Sequence, residues 1–194
     1  RPAMPTIHYV APSVWAWRPG RAMRMARVID HVLALLPFEP PYMTAAGMTC
    51  DFVGHPVVAE PLASKAEAAA FDGPGPLILA LPGSRRGEVA RLAPVIGQGL
   101  GRIKAVHPGA RVALPTVRGV TDLVREVTAN WPIAPQIIED AGAKRGAFAA
   151  ADVAIAASGT VSLELAANGC PMVIAYDMHP VTLWLMRRAA LIDT

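Results

Sequence analysis

Short apolar runs alternate with longer amphipathic segments along the chain. The apolar runs are continuous instead of alternating with polar residues, which is typical of parallel strands covered on both faces. We predict eight such strands, at residues 6–11, 31–37, 50–54, 77–83, 111–117, 136–140, 152–158 and 171–176. Helical patterns occur at residues 18–29, 86–106, 120–131, 144–151, 159–168 and 181–191. This alternation predicts an α/β fold of right-handed strand–helix–strand units, with doubly wound, Rossmann-like parallel sheets.

One segment interrupts the alternation and predicts a domain boundary. Residues 54–76 hold four prolines, three glycines and a polar stretch rich in Ala, Glu and Lys, a composition typical of a boundary. We therefore expect residues 1–55 to end one α/β domain and residues 56–75 to form a linker. Residues 76–194 would then form most of a second α/β domain, incomplete at its C-terminus. The chain starts at Arg1 without a Met and stops just after a basic helical pattern, so we expect a fragment of a longer protein.

Composition narrows the class of protein. Hydrophobic residues make up 53% of the chain and charged residues 17%, which supports a large core and argues against disorder. The net charge is only +3, from 18 basic and 15 acidic residues, so we expect no nucleic-acid partner. No apolar run reaches the roughly 18–20 residues that span a bilayer, and no signal-peptide pattern opens the chain. We expect a cytoplasmic protein.

Several common cofactor motifs are absent or misplaced. Cys50 and Cys170 are far apart and outside any CxxC motif, so we predict two free thiols in a reducing compartment. No HExxH motif or similar ligand spacing occurs, and we expect no metal and no cofactor. The glycines of GQGLG, residues 97–101, lie within a helical pattern and not at a strand-to-helix turn. We therefore do not interpret them as a dinucleotide-binding loop.

The first candidate site is the turn within LILALPGSRRGEV, residues 77–89, where a predicted buried strand meets a helix. Ligands of open α/β sheets bind beyond the carboxyl ends of the strands. Gly83 allows a close backbone approach, Ser84 can cap the helix, and Arg85 offers a forked donor to a phosphate. The alternative is an ordinary strand–turn–helix connection with Arg85 in solvent. Spacing alone does not decide between the two.

The second candidate site is the turn after the predicted strand at residues 152–158. Ser158, Gly159 and Thr160 are small, and the free N–H groups of the following helix suit a diphosphate. Glu164 lies one helical turn beyond Thr160, where its carboxylate can accept hydrogen bonds from the vicinal hydroxyls of a ribose. The alternative is a Glu164 that only favours the helix dipole. Taken together, the two turns predict a nucleoside diphosphate as their common ligand.

Five segments together resemble the lipid-A-disaccharide synthase family: HYVAPSVWAWRPGR, LALLPFE, FVGHP, LPGSRRGEV and ASGTVSLELAANGCPMVIAYDMHPVTLWLMRR. The resemblance runs in the same order through nearly the whole chain and implies the GT-B architecture, with two Rossmann-like domains. It implies an inverting hexosyltransferase that joins UDP-2,3-diacylglucosamine to 2,3-diacylglucosamine 1-phosphate, giving lipid A disaccharide 1-phosphate and UDP. This activity serves lipid A (lipopolysaccharide) biosynthesis at the cytoplasmic face of the inner membrane of Gram-negative bacteria.

The resemblance also implies roles for the candidate residues. Arg85 matches the Arg of the family's LPGSR loop, which is expected at the UDP phosphates. Ser158, Gly159 and Thr160 match its SGT corner, and Glu164 matches the acidic residue that follows.

The resemblance places two parts of the enzyme outside the chain. The general base is expected upstream of Arg1, so no catalytic residue is assigned and the chain alone is not expected to turn over. A segment expected beyond Thr194 implies a homodimer of the full-length protein.

Aromatic residues stand beside arginines in two places, a combination that suits an anionic membrane surface or an acylated substrate. The two groups are Trp15, Trp17 and Arg18, and Trp184, Arg187 and Arg188. We predict that these groups attach the protein peripherally to the membrane. The alternative places the tryptophans in the core and the arginines in solvent.

Two further functions stay open on the sequence. One is another GT-B enzyme acting on a UDP-N-acetylhexosamine, such as a peptidoglycan transferase or a 2-epimerase, although the SVWAWR segment disfavours it. The other is a non-catalytic module that binds a nucleotide or adapts a partner to the membrane. Dependence of activity on acyl chains distinguishes the first, and nucleotide binding without turnover distinguishes the second.

Overall fold

The computed structural model describes residues 4–177, Trp184 and Arg188. Its strands are β1 (Ile7–Tyr9), β2 (His31–Ala34), β3 (Thr49–Phe52), β4 (Leu77–Leu81), β5 (Arg111–Pro115), β6 (Pro135–Ile138), β7 (Val153–Ala157) and β8 (Met172–Ala175). Its helices are α1 (Gly20–Met25), α2 (Pro40–Ala45), α3 (Lys65–Ala69), α4 (Arg86–Val106), α5 (Thr121–Thr128), α6 (Ala141–Ala150) and α7 (Val161–Ala167), with a 3-10 turn at Pro56–Ala59. All eight predicted strands are present, and each is shorter than its apolar run.

The predicted helices agree less evenly with the structure than the strands do. The bounds of α4 are those predicted, whereas α1 ends at Met25 and is shorter than its pattern. Sequence periodicity does not indicate α2 and α3, because helices of six and five residues are too short to show it. The first turn of α2 tolerates Pro40 and Pro41, since helix-starting N–H groups need no partner within the helix. The predicted helix at 181–191 lies outside the described residues, apart from Trp184 and Arg188.

Contacts separate the described residues into two compact units. One holds the residues up to Val58 together with Trp184 and Arg188, and the other runs from Ala59 to Asp177. The first unit holds a three-stranded parallel sheet in the order β1-β2-β3. Its core is small and includes Val14, Val32 and Met43, all fully or almost fully buried.

The second unit holds a five-stranded parallel sheet in the order β6-β5-β4-β7-β8. The central strand β4 is buried along its whole length, and its side chains alternate between two cores, as a strand period of two requires. Leu79 packs with Phe148 of α6 and Leu165 of α7 on one face. Ile78 packs on the other face with residues of α4 and α5. Helices on both faces of a parallel sheet confirm the predicted doubly wound α/β class.

Part of the predicted linker packs as an element of the second unit. Phe71 is 4% exposed and shares a core with Leu77 and Phe148. The helix α3 that precedes it lies against α6, where Arg145 Nη2 donates to Glu67 Oε1 at 2.5 Å. The predicted domain limits themselves stay a prediction.

The glycines at 97–101 lie inside α4, which confirms that they do not form a dinucleotide-binding loop. A Cβ on Gly97 would lie 2.7 Å from Trp131 Nε1. The missing side chain therefore makes room for the indole of Trp131, which packs on the buried side of the helix.

Candidate functional site

A pocket of about 430 Å³ opens where the carboxyl ends of β4, β5 and β7 meet. Leu81, Pro115 and Ala157, the last residues of those strands, line its base. The chain runs from β4 outward to β5 and β6, then returns to the other side of β4 as β7 and β8. A reversal of this kind leaves a crevice between the loops, which is where open α/β sheets bind ligands.

All seven residues that the sequence analysis assigned to UDP line this one pocket. They are Gly83, Ser84, Arg85, Ser158, Gly159, Thr160 and Glu164. The structure therefore brings the two candidate turns together, although they lie far apart in sequence. Their part in binding stays a prediction.

The general base was expected upstream of Arg1. Arg1 itself lies outside the described residues, which begin at residue 4. The structure therefore does not test this expectation, and the catalytic base stays unassigned.

The first turn approaches the pocket through a glycine that no other residue replaces easily. Gly83 has φ +113°, and a Cβ there would lie 2.7 Å from Glu88 Oε2. One expectation is wrong: Ser84 does not cap α4. The N-cap is Arg85, whose extended backbone places its carbonyl oxygen to accept from Glu88 N and Val89 N, both at 3.0 Å. Because α4 begins at Arg86, its N-cap position falls on Arg85, and Ser84 is left exposed in the turn.

The Arg85 guanidinium reaches out over the pocket with 82% of its side chain exposed. Its Nη1 donates to Glu88 Oε1 at 2.8 Å. A guanidinium has five N–H donors, so this pair orients Arg85 while leaving it able to bind an anion. An exposed pair of this kind contributes little to stability. Sequence reasoning missed Glu88, whose only signal was its position three residues after Arg85, one helical turn away.

The second turn presents small exposed residues followed by a short helix. Ser158 N donates to Ala175 O at 3.0 Å, which joins the turn to the neighbouring strand. α7 begins at Val161 with Thr160 as N-cap, and no side chain caps it. Ser162 N donates to Gly159 O at 3.1 Å and Leu163 N donates to Thr160 O at 3.0 Å, so carbonyl groups of the turn already accept from these first N–H groups of α7.

Glu164 lies in the first turn of α7 and pairs with a cation that the sequence analysis did not identify. Lys144 Nζ is 2.5 Å from Glu164 Oε2, and both side chains are partly exposed in the pocket. The same ammonium lies 5.2 Å from the ring centroid of Phe148. Glu164 therefore has a charged partner in the pocket, and its contact with a ribose stays a prediction. Lys144 gave only a weak signal, a lone lysine in a helical pattern just after a predicted strand.

The charged groups that line the pocket form two matched pairs. Arg85 faces Glu88 and Lys144 faces Glu164. Guanidinium and ammonium groups can donate to phosphate oxygens, whereas carboxylates accept from hydroxyls. In addition, the buried Oγ1 of Thr116, the residue just after β5, has no hydrogen-bond partner among the described residues. The pocket can therefore receive a ligand that carries both phosphates and hydroxyls.

The aromatic residues predicted to meet a membrane have mixed environments. Trp15 packs edge-on against Phe38 with ring centroids 5.2 Å apart. Arg18 Cζ lies 4.2 Å from the Trp17 ring centroid. Trp184 is 52% exposed and carries Arg188 Cζ at 3.9 Å from its ring, whereas Arg187 lies outside the described residues. Within the described part of the chain, no helix is both long and apolar enough to cross a membrane. Membrane contact stays a prediction.

Residues 1–193 match the sequence model of the lipid-A-disaccharide synthetase family. A lipid-A-disaccharide synthase of Ruegeria pomeroyi is 60% identical over 97% of this chain and 50% of its own length. One of Rhodospirillum centenum is 51% identical over 95% of this chain and 47% of its own length. The chain thus spans about half the length of the curated relatives it matches.

A solved structure shares the fold at low sequence identity. It is described as a UDP-N-acetylglucosamine 2-epimerase from Listeria monocytogenes, with a TM-score of 0.59 and 16% identity over 84% of this chain and 45% of that one. At this identity the similarity concerns the fold alone. Together with the two parallel sheets it confirms the predicted fold class, α/β of the GT-B type.

Proposed function

Because this chain belongs to the lipid-A-disaccharide synthetase family, we propose that it is part of an inverting hexosyltransferase of lipid A biosynthesis. The donor is UDP-2,3-diacylglucosamine and the acceptor is 2,3-diacylglucosamine 1-phosphate. The products are lipid A disaccharide 1-phosphate and UDP. The observation that carries the proposal for this chain is that both predicted turns line the same pocket.

Each group in the pocket takes a part of the donor that suits its chemistry. Arg85, 82% exposed, donates to the pyrophosphate together with the backbone N–H groups of the exposed turn residues Gly159 and Thr160. Glu164, one turn into the helix, accepts hydrogen bonds from the ribose hydroxyls through Oε1, the oxygen that is not paired with Lys144. Gly83 and Gly159 keep the two backbones accessible to the ligand.

The proposed reaction is a direct displacement in which groups of the pocket stabilise UDP as the leaving group. The acceptor hydroxyl oxygen attacks the anomeric carbon on the face opposite UDP, and its proton passes to a base that is not assigned among these residues. The bond from the anomeric carbon to the phosphate oxygen breaks, and its electron pair leaves with UDP. Arg85 stabilises the charge that develops on that oxygen, which is where preorganised donors accelerate transfer.

Nucleotide binding tests the pocket directly. UDP at about 100 times its Kd should stabilise the protein by about 2.7 kcal/mol, seen as a higher melting temperature. Arg85→Ala and Glu164→Ala should each remove most of that shift. The matched controls are Arg102→Ala and Glu126→Ala, which change exposed residues outside the pocket lining. A UDP shift that survives both pocket substitutions would rule out this site.

The acyl chains of the substrates separate the proposed reaction from the nearest alternatives. A protein containing this chain should form the disaccharide 1-phosphate from the acylated donor and acceptor and should not use UDP-N-acetylglucosamine as donor. Equal use of the unacylated donor would favour a UDP-N-acetylhexosamine enzyme. UDP binding without turnover of either donor would favour a non-catalytic module.

Membrane attachment completes the proposal and has its own test. Trp184 is exposed beside the Arg188 guanidinium, and such pairs favour an anionic lipid interface. We therefore propose that the protein is peripheral on the cytoplasmic face of the inner membrane. Separately, we propose that the full-length protein is a homodimer. Arg187→Glu/Arg188→Glu protein should sediment less with anionic vesicles than the wild type. Unchanged sedimentation would exclude this surface.

A further inference from the structure

Lys144 and Glu164 come from different strand–helix units and meet inside the pocket. Lys144 belongs to α6, which follows β6, and Glu164 belongs to α7, which follows β7. Their contact of 2.5 Å, from Nζ to Oε2, is a close ion pair. The Lys144 side chain is 39% exposed and that of Arg85 is 82% exposed, so solvent screens this pair less than it screens Arg85 and Glu88.

The backbone that carries Lys144 is fixed by three separate contacts. Asp140 caps α6, with its Oδ1 accepting from Ala143 N at 2.8 Å. Arg145, the next residue along, binds Glu67 of α3. At Gly146 the α3 backbone comes so close that an added Cβ would lie 2.7 Å from the Glu67 carbonyl carbon. The ammonium is thus presented from a rigid helix rather than from a loop.

We propose that Lys144 is a positioning residue for Glu164 and that it sets the preference of the pocket for ribose over deoxyribose. The inference rests on the proposed function, because it takes the ligand to be a nucleoside diphosphate. By holding Oε2, the ammonium limits rotation of the carboxylate and keeps Oε1 at a defined place for a ribose hydroxyl. A carboxylate without this partner would have to lose that rotational freedom on binding.

The ratio of two dissociation constants isolates this role. The wild type should bind UDP about 10- to 100-fold more tightly than 2′-deoxy-UDP, the range of one hydrogen bond to a charged group. In Lys144→Met the preference should fall below about threefold, mainly through weaker UDP binding. Lys144→Arg keeps a donor for Oε2 and should restore most of the preference. Titration calorimetry of each protein with both nucleotides gives these ratios.

Two controls separate positioning from other effects. Lys65→Met removes an exposed lysine outside the pocket lining and should change neither nucleotide affinity nor the ratio. Melting temperatures without nucleotide show whether Lys144→Met folds, and Lys144→Arg tests the inference if it does not. In the Glu164→Gln background, Lys144→Met should reduce the preference no further, because the carboxylate it positions is gone.

The possible outcomes distinguish this inference from the proposed function. Equal weakening of UDP and 2′-deoxy-UDP in Lys144→Met would leave the ratio unchanged and would overturn the positioning role, pointing instead to a general charge effect on the phosphates. A wild type with no preference for ribose would overturn it as well. A wild type that binds no UDP would contradict the proposed function itself.

Discussion

One added methyl group at the contact between α3 and α6 should destabilise the second unit. Gly146 is buried in α6, and an ideal Cβ there would lie 2.7 Å from the carbonyl carbon of Glu67, closer still to its oxygen, and 3.2 Å from Phe71 Cε2. Carbon atoms pack at about 3.5–4.0 Å. In Gly146→Ala, one helix must therefore move by about 1 Å, because the obstacle is backbone and cannot rotate away.

The expected magnitude follows from two opposing terms. Overpacking costs about 1–3 kcal/mol, and a clash with backbone places this site near the upper end. Alanine is more favourable than glycine in a helix by about 1 kcal/mol. The net loss should be about 1–2 kcal/mol, which for a domain of roughly 100–150 residues lowers the melting temperature by about 4–10 °C.

Thermal unfolding followed by circular dichroism measures the change, and Gly99→Ala is the matched control. A Cβ at Gly99, inside α4, would meet nothing within 4 Å, so the same substitution there should stabilise the protein by about 0.5–1 kcal/mol. The two substitutions should therefore shift the melting temperature in opposite directions. If Gly146→Ala melted at or above the wild-type temperature, α3 would not pack on α6 as described.

Two further predictions concern the same unit. Gly97→Ala would place a Cβ 2.7 Å from Trp131 Nε1 and should lower the melting temperature by several degrees through overpacking; unchanged stability and unchanged tryptophan fluorescence would contradict that packing. The second concerns pH, because the Ser64 backbone N–H and then the Arg145 guanidinium hold the pKa of Glu67 below its usual 4.5. Its stabilising contribution is thus present above about pH 4.5 and is lost as pH falls through the lower folded pKa. Glu67→Gln should flatten the acid side of the melting profile, and an unaltered profile would show that Glu67 is not the group responsible.

The continuous apolar runs in the sequence were sufficient to predict the strands of both sheets. β4 is buried along its whole length, so nothing in its sequence needed to alternate, and the apolar run marked it directly. The short helices gave no such signal. α3 depends on its capping box, in which Ser64 and Glu67 satisfy each other's backbone N–H groups, and on its contact with α6. A five-residue helix of this kind is stabilised by tertiary packing, which local propensity does not encode.

The candidate site could be predicted only as far as its backbone turns. Glycine and serine after buried strands mark strand-to-helix turns, and parallel strands place such turns at one edge of a sheet, so the two turns could be assigned to a common ligand. The matching charges could not be predicted. Lys144 and Glu164 lie on separate helices, and no periodicity in sequence indicates that their side chains meet. The bounds of α4 were predicted correctly but its N-cap was not, because Ser is the commoner capping residue, whereas the backbone geometry places Arg85 at that position.

The central place of β4 has a consequence for how the second unit folds. Ile78 of β4 pairs with Val112 of β5 on one side and with Val153 of β7 on the other. Both partners lie far from β4 in sequence, so long loops must close before these strand pairs can form and stabilise the sheet. A nascent chain that has been synthesised only as far as β6 contains the pocket turn after β4 but lacks the pocket turn after β7. Nucleotide capture should therefore arise late and abruptly during synthesis, which makes it a reporter of complete folding rather than of early collapse.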